Sequence, residues 1–321
     1  MITQPDRPAG RGHQLTPTPV KAAALALGIP VLTPVRLREF AAELAALGPD
    51  RCVVASYGRI IPQALLDAVP LWLNIHPSAL PLYRGATPIQ SVLRDGCSET
   101  AVSIIAMDAG MDTGDLLAQT PPVPIGADET YGSLHDRLAD IGAELLGAAL
   151  AADARGELAR TPQAARGVDD DAIAQTLTRP WTKIDRVLPP YATAREAVDR
   201  IRALAPKPGA QLIAGLRPAV GTMPLPPFTI LRAHESRESP LADGRDVPSG
   251  TVVACRGYLY VRASDAWIVV DEVVPAGKGA MSIDAFAAGR RIDEVFAPED
   301  DVVDGLGALR FRERAGALLA R

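Results

Sequence analysis

Leu71-Trp72-Leu73-Asn74-Ile75-His76-Pro77-Ser78 is an apolar run that gains two polar side chains just before a proline stops it. Its length and its stop at Pro77 predict a buried strand over Leu71 to Ile75. On a strand, residues i and i+2 point to the same face, so Asn74 and His76 project together from one strand end. Asn74 is the single asparagine of the 321 residues, and His76 is one of four histidines. The chain also carries four lysines (Lys21, Lys183, Lys207 and Lys278) against 29 arginines, a bias of the kind a GC-rich coding sequence produces. An asparagine that survives such a bias points to a task that Asp, Gln or Ser does not perform.

The neighbouring sequence sets this strand in an alternating pattern. Pro19 to Gly28 predicts a helix with proline in its first turn and glycine after its end. Pro30-Val31-Leu32 predicts a short strand, and residues 36–47 a helix stopped by Gly48-Pro49. Cys52 to Tyr57 predicts a buried parallel strand, followed by a short helix after Pro62. Further on, 88–95 predicts a helix, Ala101 to Met107 and Leu116 to Gln119 strands, and 129–150 a long helix. Strands alternating with helices imply an α/β fold, a doubly wound, Rossmann-like, mostly parallel sheet. Residues 1–20, rich in Pro, Gly and Arg, predict a loop.

Beyond about residue 150 the pattern loosens into an Ala/Arg/Asp-rich connector containing Asp169-Asp170-Asp171. A helix is predicted over 193–204, with Ala194, Ala197, Val198, Ile201 and Leu204 at helical spacing. After Pro208-Gly209, short β-rich pieces (210–214, 228–232, 250–255, 257–263 and 266–272) predict a small OB-like barrel or sandwich. The expected division is a catalytic domain over 1–155, a linker over 156–180 and a smaller β-barrel (OB-like) domain over 181–321.

Composition narrows the class. Hydrophobic residues make up 48% of the chain, which suits a globular protein and argues against disorder. No apolar run reaches membrane-span length. Cys52, Cys97 and Cys255 are odd in number and far apart, which fits neither a disulfide framework nor a zinc site and favours the reducing cytoplasm. The net charge of −5 announces no nucleic-acid binder in bulk, although such binding rests on local patches.

Two stretches carry the chemistry: Asn74-Ile75-His76-Pro77-Ser78-Ala79-Leu80-Pro81-Leu82-Tyr83-Arg84-Gly85 and Met107-Asp108-Ala109-Gly110-Met111-Asp112-Thr113-Gly114-Asp115. Both follow predicted strands, at the ends where open α/β sheets bind ligands. A neutral amide, an imidazole and a carboxylate together suit acyl-type transfer: the amide donates to an oxyanion, the imidazole adds to that donation or moves a proton, and the carboxylate orients the imidazole or relays a proton. Singly, each has a bland reading: a strand-end Asn forms turns, a lone His is structural, and Asp-Thr-Gly-Asp is an ordinary turn. Their conjunction favours function. An aspartic-protease reading lacks its second carboxylate. Ser78, held between two prolines, is not in a nucleophile elbow.

The pattern Asn-x-His-x-Ser-x-Leu-Pro-x-x-Arg-Gly followed by Met-Asp-x-Gly-x-Asp-Thr-Gly-Asp resembles the folate-dependent formyltransferase superfamily. Thr3-Gln4-Pro5-Asp6-Arg7-Pro8-Ala9-Gly10-Arg11-Gly12 and Pro275-Ala276-Gly277-Lys278-Gly279-Ala280-Met281 are similar to the branch that acts on aminoacylated initiator tRNA. The resemblance implies formyl transfer from 10-formyltetrahydrofolate to the α-amino group of methionine on that tRNA, by a cytoplasmic monomer that needs no metal and no membrane. It implies a catalytic trio of Asn74, His76 and Asp112. It implies folate contacts at Ser78, Ala79, Leu80, Pro81, Ile60, Ile61 and Asp108, with Ala79 replacing the family's usual Leu. It also implies tRNA contacts at Arg7, Arg11, Lys21, Lys207 and Lys278. Against these stand a Pro-stiffened connector for 78–85 and a solvated basic loop for 5–21. Two other readings share the trio or the fold: a sibling formyltransferase acting on a sugar nucleotide or glycinamide ribotide, and an RNA-binding homologue with impaired catalysis. Members of the family open with a further strand–helix–strand before the Gln-Pro-Asp-Arg segment, so a start codon assigned too far downstream is expected.

Overall fold

The structure, a computed structural model, describes residues 1–9, 14–212, 216–218, 227–241, 246–255, 257–288 and 294–298. In the N-terminal half the elements run β1 (Arg7–Ala9), β2 (Gln14–Thr16), α1 (Pro19–Ala26), α2 (Ala41–Ala46), β3 (Arg51–Ala55), α3 (Gln63–Leu66) and β4 (Leu71–His76). Then come α4 (Pro88–Arg94), β5 (Glu99–Thr100), β6 (Ser103–Ala106), β7 (Leu116–Gln119), β8 (Val123–Pro124) and the long α5 (Tyr131–Ala154). Most predicted helices and strands stand where the periodicity places them. Helix starts have local causes: Thr18 accepts from the Lys21 amide ahead of α1, and Thr130 and Ser133 cap α5 reciprocally.

The central sheet has the order β3-β4-β6-β7. β3 and β4 pair in parallel, whereas β4–β6 and β6–β7 are antiparallel. The sheet is therefore mixed, not mostly parallel: the chain returns from β6 to β7 through the short 107–115 loop, too short for the crossover that parallel pairing needs. β3 is also less buried than a central strand. It lies at the edge of the described sheet, and Val53 is 42% exposed. β4 runs between two neighbours, and Leu71, Trp72 and Leu73 are buried. Its apolar face packs with Ile104, Ala106 and Leu117 under α5.

Two short segments differ from expectation. The predicted strand at 30–32 reduces to one parallel bridge between Ile2 and Leu32. The opening loop contains an antiparallel ribbon, β1 with β2, whose second strand is fully exposed. At three residues each, the ribbon strands are too short for alternation to declare them, so only their backbone hydrogen bonds do.

After α5 the chain passes through a 3₁₀ turn (Gln163–Arg166), α6 (Asp170–Gln175) and a second 3₁₀ turn (Lys183–Arg186) to α7 (Ala194–Leu204). Then follow β9 (Leu216–Pro218), β10 (Phe228–Ser236), β11 (Val252–Cys255), β12 (Tyr258–Arg262), β13 (Trp267–Pro275), β14 (Met281–Ser282), α8 (Ile283–Ala287) and β15 (Glu294–Pro298). The strands join antiparallel in the order β10-β13-β12-β11-β15-β9, with β14 on β13. Among the described residues they form a path rather than a closed ring. The expected 210–214 strand is, as far as it is described, two isolated bridges, Ala210 with Ile230 and Gln211 with Val187. All five predicted apolar positions of α7 are buried, and they pack with Ile230, Val252, Leu259, Ile268 and Val270. The far side of α7 meets the first half of the chain. The Arg202 guanidinium donates to the Gly126 and Glu129 carbonyls at 2.8 and 2.9 Å and to buried Asp199 at 2.8 Å.

Candidate active site

β4 ends where Asn74 and His76 leave the apolar run, opposite Ile105 and Ser103 of β6. Asp112 comes from the loop between β6 and β7. Asn74 Nδ2 donates to Asp112 Oδ1 at 3.1 Å, and His76 Nδ1 lies 3.6 Å from Asp112 Oδ2. The Gly85 amide donates to Asp112 Oδ2 at 2.9 Å. Asn74 and His76 thus converge on the Asp112 carboxylate, and among the described residues one Asn74 N–H is left for another acceptor.

Backbone geometry makes this convergence possible. Asp112 has φ +55° and Tyr83 φ +59°, the left-handed region, which costs a non-glycine residue about 1 kcal/mol or more. Such conformations persist because surrounding bonds over-determine them. Gly114 has no room for a side chain, since a Cβ there would collide with the Ala106 carbonyl. A Cβ on Gly85, at φ +110°, would likewise collide with the Thr178 carbonyl. The Asp-Thr-Gly and Arg-Gly elements of the motif therefore let the two loops approach β6 and the connector.

His76 is buried, and its Nε2 faces the Tyr83 carbonyl at 2.9 Å. A carbonyl only accepts, so Nε2 carries the proton. Burial lowers the imidazole pKa from its ordinary value, against the smaller opposing pull of the Asp112 charge and the Tyr83 carbonyl. At neutral pH the ring is neutral, and the Nδ1 lone pair faces the space beside Asp112. The Tyr83 phenol approaches Cys97 Sγ at 3.1 Å, and burial pushes its pKa well up.

The other singled-out residues fall in three places. Ser78, Leu80 and Pro81 are buried and Ala79 is half-buried, and the turn's backbone is tied within the fold, the Leu82 amide donating to the Ala79 carbonyl at 3.1 Å and Gln119 Nε2 to the Leu80 carbonyl at 3.1 Å. Ser78 Oγ donates to the Leu82 carbonyl at 2.7 Å, and Ser103 Oγ to the Ser78 carbonyl at 2.7 Å. Ile61 packs into the cluster around Trp72, whereas Ile60 is 87% exposed. The Asp108 carboxylate closes its own loop, accepting from the Gly110 amide and the Thr113 hydroxyl. Arg7 is exposed on β1, and Lys21 pairs with Asp6 at 2.8 Å. Lys207 and Lys278 are exposed on turns of the second half. Arg11 lies outside the described residues. Sequence reasoning missed the Tyr83 carbonyl, the Gly85 amide and buried Gln163. The first two are backbone groups with no sequence identity, and nothing around Gln163 marks it.

The formyl transferase family model matches residues 1–150, and the model of the formyl transferase C-terminal domain matches residues 191–291. A methionyl-tRNA formyltransferase from Symbiobacterium thermophilum is 42% identical over 294 residues, covering 90% of this chain and 84% of that protein. One from Halorhodospira halophila is 40% identical over 296 residues, covering 91% and 88%. Among solved structures, the N-formyltransferase from Helicobacter canadensis, in complex with folinic acid and dTDP-3-aminofucose, aligns with TM-score 0.58 at 15% identity. That alignment covers 85% of this chain and 87% of that one. HypX from Aquifex aeolicus in complex with tetrahydrofolic acid aligns with TM-score 0.52 at 16% identity, covering 86% and 43%. At these identities the two structures speak for the fold alone. With both domain models and relatives of this identity and span in agreement, the chain belongs to the formyl transferase family.

Proposed function

We propose that this chain transfers a formyl group from 10-formyltetrahydrofolate to the α-amino group of methionine on initiator tRNA, for translation initiation. The observation that carries the reading is the convergence of Asn74, His76 and Asp112, on a chain whose relatives bear the name methionyl-tRNA formyltransferase. The amine lone pair attacks the formyl carbon, forming the new C–N bond, and the carbonyl pair moves onto oxygen. The free N–H of Asn74 donates to that oxyanion. Neutral His76 takes the proton shed by the attacking amine at Nδ1. The resulting imidazolium is stabilised by Asp112 and adds its positive charge beside the oxyanion. Collapse breaks the bond from the formyl carbon to folate nitrogen, and the proton passes to that leaving nitrogen, directly or through water.

Folate contacts are assigned to the backbone of Ser78, Ala79, Leu80 and Pro81 and to Ile60, Ile61 and Asp108. Arg7 on β1, Lys21 on α1, Lys207 and Lys278 beyond α7, and Arg11 are assigned to tRNA phosphates, where Arg and Lys give affinity that falls with salt. The working unit is taken as a cytoplasmic monomer without metal, with its catalytic domain over 1–155, a linker over 156–180 and a tRNA-binding domain over 181–321. The test offers purified protein 10-formyltetrahydrofolate with three acceptors: initiator methionyl-tRNA, glycinamide ribotide and an amino-sugar nucleotide. Formylation of the tRNA alone is expected. Formylation of a small acceptor but not tRNA would shift the reading to a sibling enzyme. Binding of tRNA with no transfer to any acceptor would shift it to a non-catalytic homologue.

A further inference from the structure

Gln163 sits in the connector, between the stretches that the two family models match. It is buried, with all its polar capacity engaged. Its Nε2 donates to the carbonyls of Asp112 and Gly114, both at 2.8 Å. Its Oε1 accepts from Arg84 Nε at 3.0 Å and a terminal Arg84 nitrogen at 2.7 Å. The orientation of the amide is fixed by its neighbours, because a flip would set an oxygen against two carbonyls and N–H groups against a guanidinium.

We propose that Gln163 is a positioning residue for formyl transfer, holding the Asp112 carboxylate against Asn74 and His76. Asp112 is held in the left-handed region, a conformation that needs outside support. Its backbone carbonyl is tied by Gln163, while its carboxylate takes the Gly85 amide next to Arg84. One amide therefore fixes both site loops relative to each other. The connector that carries it is itself anchored. Thr161 exchanges backbone hydrogen bonds with Leu116 at 2.8 and 2.9 Å, and the Thr178 amide donates to the Arg84 carbonyl at 2.8 Å.

The inference rests on the catalytic assignment of Asp112, so the test includes Asp112→Asn. Gln163→Met keeps the volume and removes all four bonds. Gln163→Glu keeps the acceptor for Arg84 but removes both donors toward Asp112 and Gly114. Single-turnover rates of formyl transfer, KM for each substrate and thermal melting are measured for these variants and for Asp112→Asn/Gln163→Met. Both Gln163 variants are expected to melt below the parent, because buried carbonyls lose their donors, yet to stay folded at the assay temperature and to lose about tenfold or more in rate, the scale of a slightly misplaced group, with both KM values within about twofold. The double variant is expected to be no slower than Asp112→Asn alone. If Gln163→Met does not fold, Gln163→Glu carries the same comparison. Parent-like rates, a change confined to KM, or losses that multiply with Asp112→Asn would overturn the proposal. If Asp112→Asn itself keeps the full rate, the catalytic reading fails instead.

Discussion

Buried in the site, His76 links protonation to stability. In the unfolded chain its pKa returns to the ordinary 6.5, and in the folded protein burial lowers it. As pH falls, the unfolded state therefore takes up its proton first. The contribution of neutral His76 is complete above about pH 6.5 and is lost as pH falls from there toward the lower folded value. Urea midpoints at pH 7.5 and 5.5 should show a larger loss for the parent protein than for His76→Gln, which has no proton to gain. Equal losses would contradict the burial argument. Asn74, His76 and Asp112 were legible in the sequence because each is an identifiable side chain in a spaced motif. What completes the site was not legible: the Tyr83 carbonyl fixes the tautomer and the Gly85 amide orients Asp112, and backbone groups are the same in every residue.

At the scale of elements, α7 shows how a pattern becomes a core. Its apolar positions recur at helical spacing, and a capping box of Thr193 and Glu196 begins it. Ile201 is fully buried among strands of the C-terminal sheet. Ile201→Ala should cost about 2–5 kcal/mol, the range for deleting a buried side chain from a packed core, read as a lowered urea midpoint with an unchanged slope. A loss under about 1 kcal/mol would mean that the site relaxes around the cavity. Helices and buried strands were legible for this reason. The β1–β2 ribbon and the antiparallel return of β6 into β7 were not, because pairing partners and strand direction are set by loop length and tertiary closure rather than by local composition.

At the scale of the whole molecule, the two halves are joined at α7, and the connector between them backs the site. Arg202 on α7, held by buried Asp199, donates to carbonyls of the 126–129 turn ahead of α5. The connector at 161–178 backs the loops that hold Asp112 and Arg84. A connector that the sequence marks only as loosened pattern is thus part of the architecture that positions the chemistry. Composition could not reveal this, since the bonds of Gln163, Thr161 and Thr178 run to residues far away in the chain. The central claim is that the end of β4 supplies the oxyanion donor for formyl transfer. It is tested most directly by the single-turnover rate of formyl transfer to initiator methionyl-tRNA in Asn74→Ala, with folding checked by thermal melting. The predicted result is a folded protein slowed on the order of a hundredfold or more, the effect of losing one oxyanion donor; a folded Asn74→Ala that transfers formyl at the parent rate would contradict it.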